Sequence, residues 1–129
     1  MSTVKLAGKG IAPGLTVDDL ERSVKFYEGL GFEIESRDES EGAVRFVMLK
    51  AGESYIGLGQ DDFAKGRDRV KGVGLRFWIQ TDQDLKALAE SAKAAGIALD
   101  SEVQTLPWGP LGFAVTDPDG FKITISNPN

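Results

Sequence analysis

The 129-residue chain contains neither histidine nor cysteine. These two residue types supply the commonest metal ligand, the commonest general base and the strongest natural nucleophile of proteins. Any chemistry must therefore come from carboxylates, Lys, Arg, Tyr, Ser or Thr, or from the ligand itself. Without cysteine there is no disulfide, which fits a reducing compartment.

Long apolar runs and basic runs are missing as well. No stretch approaches the roughly 20 apolar residues of a membrane span, and the segment from Met1 to Gly14 is not apolar enough for a signal peptide. We therefore expect a cytoplasmic protein with no membrane partner. The net charge is −5, and an acidic chain binds a phosphate backbone poorly, so nucleic acid is not an expected partner.

The residues that are present repeat one pattern twice, with apolar alternation at strand period and apolar stripes at helix period. The first copy is predicted as a strand at Gly10 to Val17, a helix from Asp18 to Gly31, and strands at 32–38, 43–50 and 54–60. The second copy is predicted as a strand at Gly72 to Ile79, a helix begun by Thr81 or Asp82 and ended by Gly96, and strands at 97–103, 111–116 and 121–126.

This repeat predicts an α+β fold of two βαβββ modules that form a cradle-shaped mixed β-sheet. Residues 1–129 make a single domain, with module one at about 10–60 and module two at about 72–127. The intervening segment, about 61–71, is polar and charged, and its composition predicts an exposed linker.

Three segments resemble the vicinal oxygen chelate superfamily, which includes glyoxalase I, extradiol dioxygenases, and fosfomycin- and bleomycin-resistance proteins. They are LTVDDLERSVKFYEGLGFEI (Leu15 to Ile34), LKALAESAKAAGI (Leu85 to Ile97) and FAVTDPDGFKITI (Phe113 to Ile125). The resemblance covers roughly residues 10–127 and implies the glyoxalase/bleomycin resistance fold. These motifs are specific for the superfamily but not for any one activity in it.

The resemblance also locates the positions where members with metal chemistry carry their ligands, usually His and Glu. Counted from the shared motifs, these positions are Ala12, Gly57, Gly74 and Thr124. Such residues cannot hold a divalent ion, so we expect neither a metal nor another cofactor. The alternative is a metal site built elsewhere from several converging carboxylates.

Alternation in the strands predicts which side chains face the core and which face the cradle. The predicted core positions are Ile11, Leu15, Val17, Ile56, Leu58, Val73, Leu75, Phe77, Ile79, Phe121, Ile123 and Ile125. The opposite faces present Tyr55, Arg76, Trp78 and Thr124 to the cradle. Two-residue turns at Ala51-Gly52 and Pro118-Asp119 would also place Phe46, Met48 and Phe113 in the cradle. A bulge in either strand would reverse the face of these side chains.

The predicted ligand-binding residues are Trp78, Arg76, Tyr55, Phe46, Met48, Trp108, Phe113 and Thr124. Aromatic faces stack planar rings, and an arginine can fork a carboxylate or a phosphate. Trp108 lies in the loop LPWGPLG and is expected to overhang the mouth of the cradle. The plainer alternatives are that the aromatic side chains only pack and that Arg76 is solvated or salt-bridged.

Together these features favour a metal-free small-molecule-binding protein that resembles the bleomycin-resistance proteins. It would sequester an aromatic or cationic drug or metabolite, and the resemblance implies a homodimer. The alternative is a lyase, isomerase or dioxygenase relative, which needs a base; the cradle offers only Tyr55, Lys122 and Arg76, with reference pKa values of about 10 and above. We therefore lean against an enzyme and assign no catalytic residue. A third class, a non-catalytic interface subunit, would use the charged segment 61–71.

Overall fold

The computed structural model describes residues 4–128, and in it the β-α-β-β-β order occurs twice. Module one consists of β1 (Gly14–Val17), α1 (Leu20–Leu30), β2 (Glu33–Ser40), β3 (Ala43–Ala51) and β4 (Ser54–Gln60). Module two consists of β5 (Arg76–Gln80), α2 (Leu85–Ala94), β6 (Leu99–Thr105), β7 (Leu111–Thr116) and β8 (Lys122–Ser126). The α+β class and the paired modules are confirmed. Neither helix is long and apolar enough to cross a membrane, within the residues described.

Each module forms its own four-stranded mixed sheet, with the strand orders β1-β4-β3-β2 and β5-β8-β7-β6. In both sheets the first strand pairs in parallel with the last, and the remaining pairs are antiparallel. Pro13 directly precedes β1, an edge strand, as the missing N–H of proline requires. The helix α1 packs on β3 and β4, α2 packs on β6 and β7, and the two helices touch each other.

Both helices begin later than the sequence predicts. The N-cap of α1 is Asp19, whose side chain accepts from the Arg22 N–H at 3.1 Å, and Gly31 ends the helix with a φ of 116° as expected. The N-cap of α2 is Asp84. Thr81 does not cap α2 because its hydroxyl is used within a local turn, where it accepts from the Gln83 N–H.

One apolar core joins the two modules, with Leu15, Val17, Leu49, Leu58, Phe113, Val115 and Ile123 among its buried members. The face assignment by alternation is confirmed in β1, β4 and β8. It is wrong for Ile11, which is 91% exposed, and for Val73, which is 78% exposed, and Leu75 is exposed too. These residues precede the true starts of β1 and β5, and outside a strand the period of two no longer fixes a face.

The β3–β4 turn differs from its prediction by a register shift of two. The turn residues are Gly52 and Glu53, with Ala51 paired to Ser54, and Gly52 has the positive φ of 60° that a two-residue hairpin turn favours. A shift of two keeps the face of every side chain. Phe46 and Met48 therefore share a face with Gly57, as predicted.

The β7–β8 turn differs by a shift of one, which reverses the prediction for Phe113. Its loop has three residues, Pro118 to Gly120, closed by a bond from the Asp117 N–H to the Phe121 carbonyl. Gly120 has a φ of 95°, as in a turn followed by a bulge. Phe113 consequently pairs with Ile125 and is fully buried in the core, so its assignment to the cradle is wrong.

The segment between the modules is exposed over most of its length, as predicted, but it is anchored at both ends. The side chains of Asp61 and Lys71 are each 5% exposed, and the Lys71 ammonium lies 2.9 Å from Asp61 and 2.5 Å from Asp18. These contacts lower the pKa of the Asp61 carboxyl, chiefly through Lys71, and raise the pKa of Lys71, chiefly through Asp18. The linker therefore holds the start of module two against the end of β1.

A buried hydrogen bond connects α1 of module one with the β7–β8 loop of module two. The Tyr27 hydroxyl donates to Asp117 Oδ2 at 2.7 Å, while Asp117 Oδ1 accepts from the Asp119 and Phe121 N–H groups. Burial is the main cause that raises the pKa of Tyr27 and the pKa of Asp117, in the latter case against the lowering effect of its donors. Three hydrogen-bond donors thus stabilise the Asp117 carboxylate at a buried position, where desolvation disfavours its negative charge.

Tyr27→Phe removes one of these donors from a buried carboxylate. We expect a loss of about 1–3 kcal/mol in the free energy of unfolding at neutral pH, measured by urea denaturation. The pKa of Asp117 in the folded protein lies above its ordinary value of 3.8, so the folded state binds the extra proton in the window just above that value. Asp117 alone therefore makes stability fall as the pH rises through this window.

The loss caused by Tyr27→Phe should shrink as the pH falls through the same window, because a protonated Asp117 does not need the donor. The control is the same substitution in an Asp117→Asn background, where the loss should no longer depend on pH. An equal loss at neutral and acidic pH in the native background would contradict this account.

Candidate functional site

Tyr55, Arg76 and Trp78 meet at one cavity of about 270 Å³ between the modules. The start of β4 supplies Tyr55, and the edge strand β5 supplies Arg76 and Trp78. The chain before β1 contributes Ile11 and Pro13. The remaining lining is mostly apolar, namely Phe32, Ser54, Ile56, Phe77 and Ile79. We call this space the seam cavity.

The strand geometry explains why Arg76 and Trp78 line the same cavity. They are two residues apart in β5, so they share a face at a spacing of about 6.6 Å along the strand. The parallel register sets Arg76 beside Lys122 and Trp78 beside Thr124. Arg76 Nη1 donates to Thr124 Oγ1 at 2.8 Å. This bond uses one guanidinium N–H of five and orients the others.

Trp108 lies next to Trp78, as the expected overhang requires. Both indoles line a second, shallower cavity of about 340 Å³ together with Gln80 and Ser126. Trp78 is 60% exposed and Trp108 is 49% exposed. Two partly exposed tryptophan side chains therefore line the same cavity, and their role in ligand binding stays a prediction.

On the other side of Trp78 lies a groove of about 580 Å³, which we call the cationic groove. It is lined by Lys71, Gly72, Val73, Gly74, Leu75, Arg76, Trp78, Gly120 and Lys122. Its lining contains three cationic side chains and no carboxylate among residues 4–128. The seam cavity likewise has Arg76 as its single charged lining residue there. Trp78 belongs to all three spaces.

Two predicted site residues lie apart from this cluster. Phe46 and Met48 share the face of Gly57, and a Cβ built on Gly57 would lie 2.6 Å from Phe46 Cζ. The Phe46 ring therefore fills the space above Gly57 instead of lining the seam cavity. Ligand contact by Phe46, Met48 and Thr124 remains a prediction.

The sequence missed several residues that line the cluster, above all Pro13, Phe32 and Lys71. Phe32 and Pro13 lie in the predicted strands but just before the observed starts of β2 and β1, where alternation does not assign a face. Alternation with Thr124 on β8 did place Lys122 in the cradle, but Lys122 was not among the predicted ligand-binding residues.

The residues at the four positions where the resemblance implies metal ligands do not fit a divalent ion. Ala12 offers no donor, and Gly57 is covered by Phe46. Gly74 lies outside the strand with a φ of 72°. The one donor, the Thr124 hydroxyl, already accepts from the Arg76 cation. Elsewhere in the described chain, no three acidic side chains converge as a hard cation would need.

Comparison with known proteins places the chain in a family. The model of the Glyoxalase/Bleomycin resistance protein/Dioxygenase superfamily matches residues 11–125. The chain therefore belongs to this superfamily. No curated sequence matches it closely enough to count as a relative.

Solved structures with the same fold include TioX from Micromonospora sp. ML1, at 20% identity and a TM-score of 0.74, covering 93% of this chain and 98% of TioX. A bleomycin resistance determinant encoded on the transposon Tn5 is 22% identical, with a TM-score of 0.72 and coverages of 95% and 99%. A bleomycin-binding protein complexed with bleomycin is 21% identical, with a TM-score of 0.70 and coverages of 95% and 100%. At such identities these likenesses show the fold.

Divalent cations should not stabilise the protein. A site filled at 100 times its Kd would add about 2.7 kcal/mol to the free energy of unfolding, a rise in Tm on the order of 10 °C. We expect no rise with Zn²⁺, Ni²⁺, Mn²⁺ or Mg²⁺ in a thermal melt, with a chelator-treated sample as the control. A rise that the chelator reverses would contradict the fit argument.

Proposed function

We propose that the protein binds and sequesters a small molecule with a planar aromatic ring, without a metal ion, at the cluster of Tyr55, Arg76 and Trp78. The observation that carries this proposal is the convergence of these three side chains on one cavity that draws on both modules. In the described part of the chain this cluster contains an exposed indole, an oriented guanidinium and an apolar wall. These are the groups that bind a ring and its polar substituent.

The size of the seam cavity supports a ligand of about two fused rings. A protein cavity of about 150 Å³ holds benzene, and this one measures about 270 Å³. Trp78 also lines the two neighbouring spaces, which gives room for substituents of a bound ring along the indole. An indole left 60% exposed gains free energy when a ring covers it.

The structural neighbours support binding as the activity. A protein with this fold was crystallised with bleomycin bound, and another is named as a bleomycin resistance determinant. An enzyme would need a base at the cavity, and the lining within residues 4–128 offers no carboxylate, only Tyr55 and the cationic side chains. This composition favours a binding protein over a lyase, isomerase or dioxygenase. The absence of cysteine supports a cytoplasmic location.

The proposal includes a homodimer, because the cluster is flanked by exposed apolar side chains. Ile11, Val73 and Leu75 border the seam cavity or the cationic groove, and all three are exposed. Exposed apolar groups collected in one region are typical of a protein interface. A second copy seated on this border would narrow the mouth of the site.

Binding should depend on the indole of Trp78. Titration calorimetry with a panel of aromatic glycopeptide and quinone antibiotics and simpler fused-ring compounds should find at least one ligand. Trp78→Ala should weaken its binding by about 30-fold or more, the loss expected of a central aromatic contact of about 2 kcal/mol.

Stability provides the control for this variant, since Trp78 is largely exposed and its truncation should leave Tm nearly unchanged. In a Trp108→Phe variant the remaining indole is Trp78, so ligand-induced quenching of tryptophan fluorescence then reports on that residue. The proposed site would be wrong if no compound of the panel binds, or if Trp78→Ala leaves the affinity of a bound compound unchanged.

The dimer can be tested separately by sedimentation equilibrium, where we expect twice the mass of one chain. Val73→Glu places a charge in the exposed apolar border and should shift the equilibrium toward the monomer without lowering its stability. Ala87→Glu, on the exposed side of α2, is the matched control and should remain dimeric. A monomeric native protein would refute the dimer and leave the binding proposal standing.

A further inference from the structure

The sign of the charge around Trp78 is opposite to that of the whole chain. The net charge is −5, yet the linings of the seam cavity and the cationic groove contain no carboxylate among residues 4–128. At physiological ionic strength charges beyond about 8 Å are screened. The charged side chains that line these two spaces, and that a ligand on Trp78 meets first, are therefore cations.

Two of these cations are available to a ligand. Lys71 is occupied, because its ammonium lies within 3 Å of Asp18 and Asp61. Arg76 and Lys122 form no ion pair within the described residues; their side chains donate to the hydroxyls of Thr124 and Thr116. Both therefore retain most of their N–H donors, although the Thr116 hydroxyl beside Lys122 also donates to the Asp100 carboxylate.

The register of β5 and β8 brings these two cations to one place. Arg76 and Lys122 are direct partners across the parallel pair, on adjacent strands about 4.8 Å apart. Arg76 is two residues before Trp78 and Lys122 lies beside Arg76. A ring stacked on the indole would therefore carry a substituent about 6.6 Å away to them. This distance fits a carboxylate attached directly to a one- or two-ring system.

We infer that the ligand is a planar aromatic anion, whose ring stacks on Trp78 and whose carboxylate binds between Arg76 and Lys122. The inference rests on the proposed function and replaces the aromatic or cationic ligand that the sequence suggests with an acidic one. A cationic ring would gain only about two- to fivefold from an exposed indole and would meet two positive charges. A carboxylate held by charge-assisted hydrogen bonds gains about 10- to 100-fold.

The test compares three probes of one shape: naphthoate, naphthylmethanol and naphthylmethylammonium. Titration calorimetry on the full chain should rank the anion at least about tenfold tighter than the neutral alcohol, with the cation weakest. Because screening tightens to about 3 Å at 1 M salt, the preference for the anion should shrink there while the affinity for the alcohol holds.

Arg76→Gln and Lys122→Gln should each weaken naphthoate binding several-fold more than they weaken naphthylmethanol binding. An unchanged thermal melt shows that the variants fold. Lys86→Gln removes the same charge from an exposed position on α2 and should change neither affinity.

The possible failures are distinguishable. If the alcohol or the ammonium compound binds as tightly as naphthoate, the anion inference is wrong and the aromatic binding site stands. If naphthoate binds best but Arg76→Gln and Lys122→Gln have no effect, the assignment of the carboxylate to these two residues is wrong. If none of the three probes binds although a compound of the wider panel does, this inference is wrong and the proposed function stands; if no compound of either set binds, both are wrong.

Discussion

The loop from Asp117 to Gly120 holds the two modules in their relative positions. Asp117 accepts from the Tyr27 hydroxyl of α1, and Asp119 accepts from the Asp18 N–H, so two carboxylates of module two bind α1 and the residue just before its N-cap. The same Asp117 closes its own loop through the Phe121 N–H. Any loss of this loop geometry would therefore alter both the β7–β8 register and the docking of α1. The seam cavity depends on it, because its walls come from both modules.

The sequence predicts the order of the elements and most of the buried faces because both depend on local periodicity. The register of a hairpin depends on its turn. A register shift of two residues keeps each side chain on its face, whereas a shift of one reverses the faces. The β3–β4 turn moved by two and left Phe46 on its predicted face, whereas the bulge at Gly120 moved β7 by one and placed Phe113 in the core. The apolar run before β5 was also misassigned, since Val73 and Leu75 precede the strand. Alternation does not assign a face to residues that lie beyond the ends of a paired strand.

The candidate site was predictable to the same extent. Tyr55, Arg76 and Trp78 lie inside strands, where alternation assigns faces, so their faces followed from the sequence. Pro13 and Phe32 reach the seam cavity from outside the strands, through the packing of one module on the other. Contacts of this kind arise from tertiary structure, and neither composition nor spacing contains a signal for them. The buried ends of the linker, Asp61 and Lys71, escaped prediction for the same reason, because their composition alone suggests solvent.

The hydrogen bond from Arg76 to Thr124 lies at one of the four positions where the superfamily resemblance implies a metal ligand. At Thr124, where the superfamily resemblance implies a metal ligand, this chain places a hydroxyl that accepts from a guanidinium. The positive charge at this point is thus supplied by a side chain. A metal ion offers exchangeable coordination positions and acts as a Lewis acid. A guanidinium offers only fixed N–H donors, which orient and neutralise an anion without entering its bonds. In the proposed function, a guanidinium at this point would recognise negative charge without the activation of a bound oxygen that a metal ion provides.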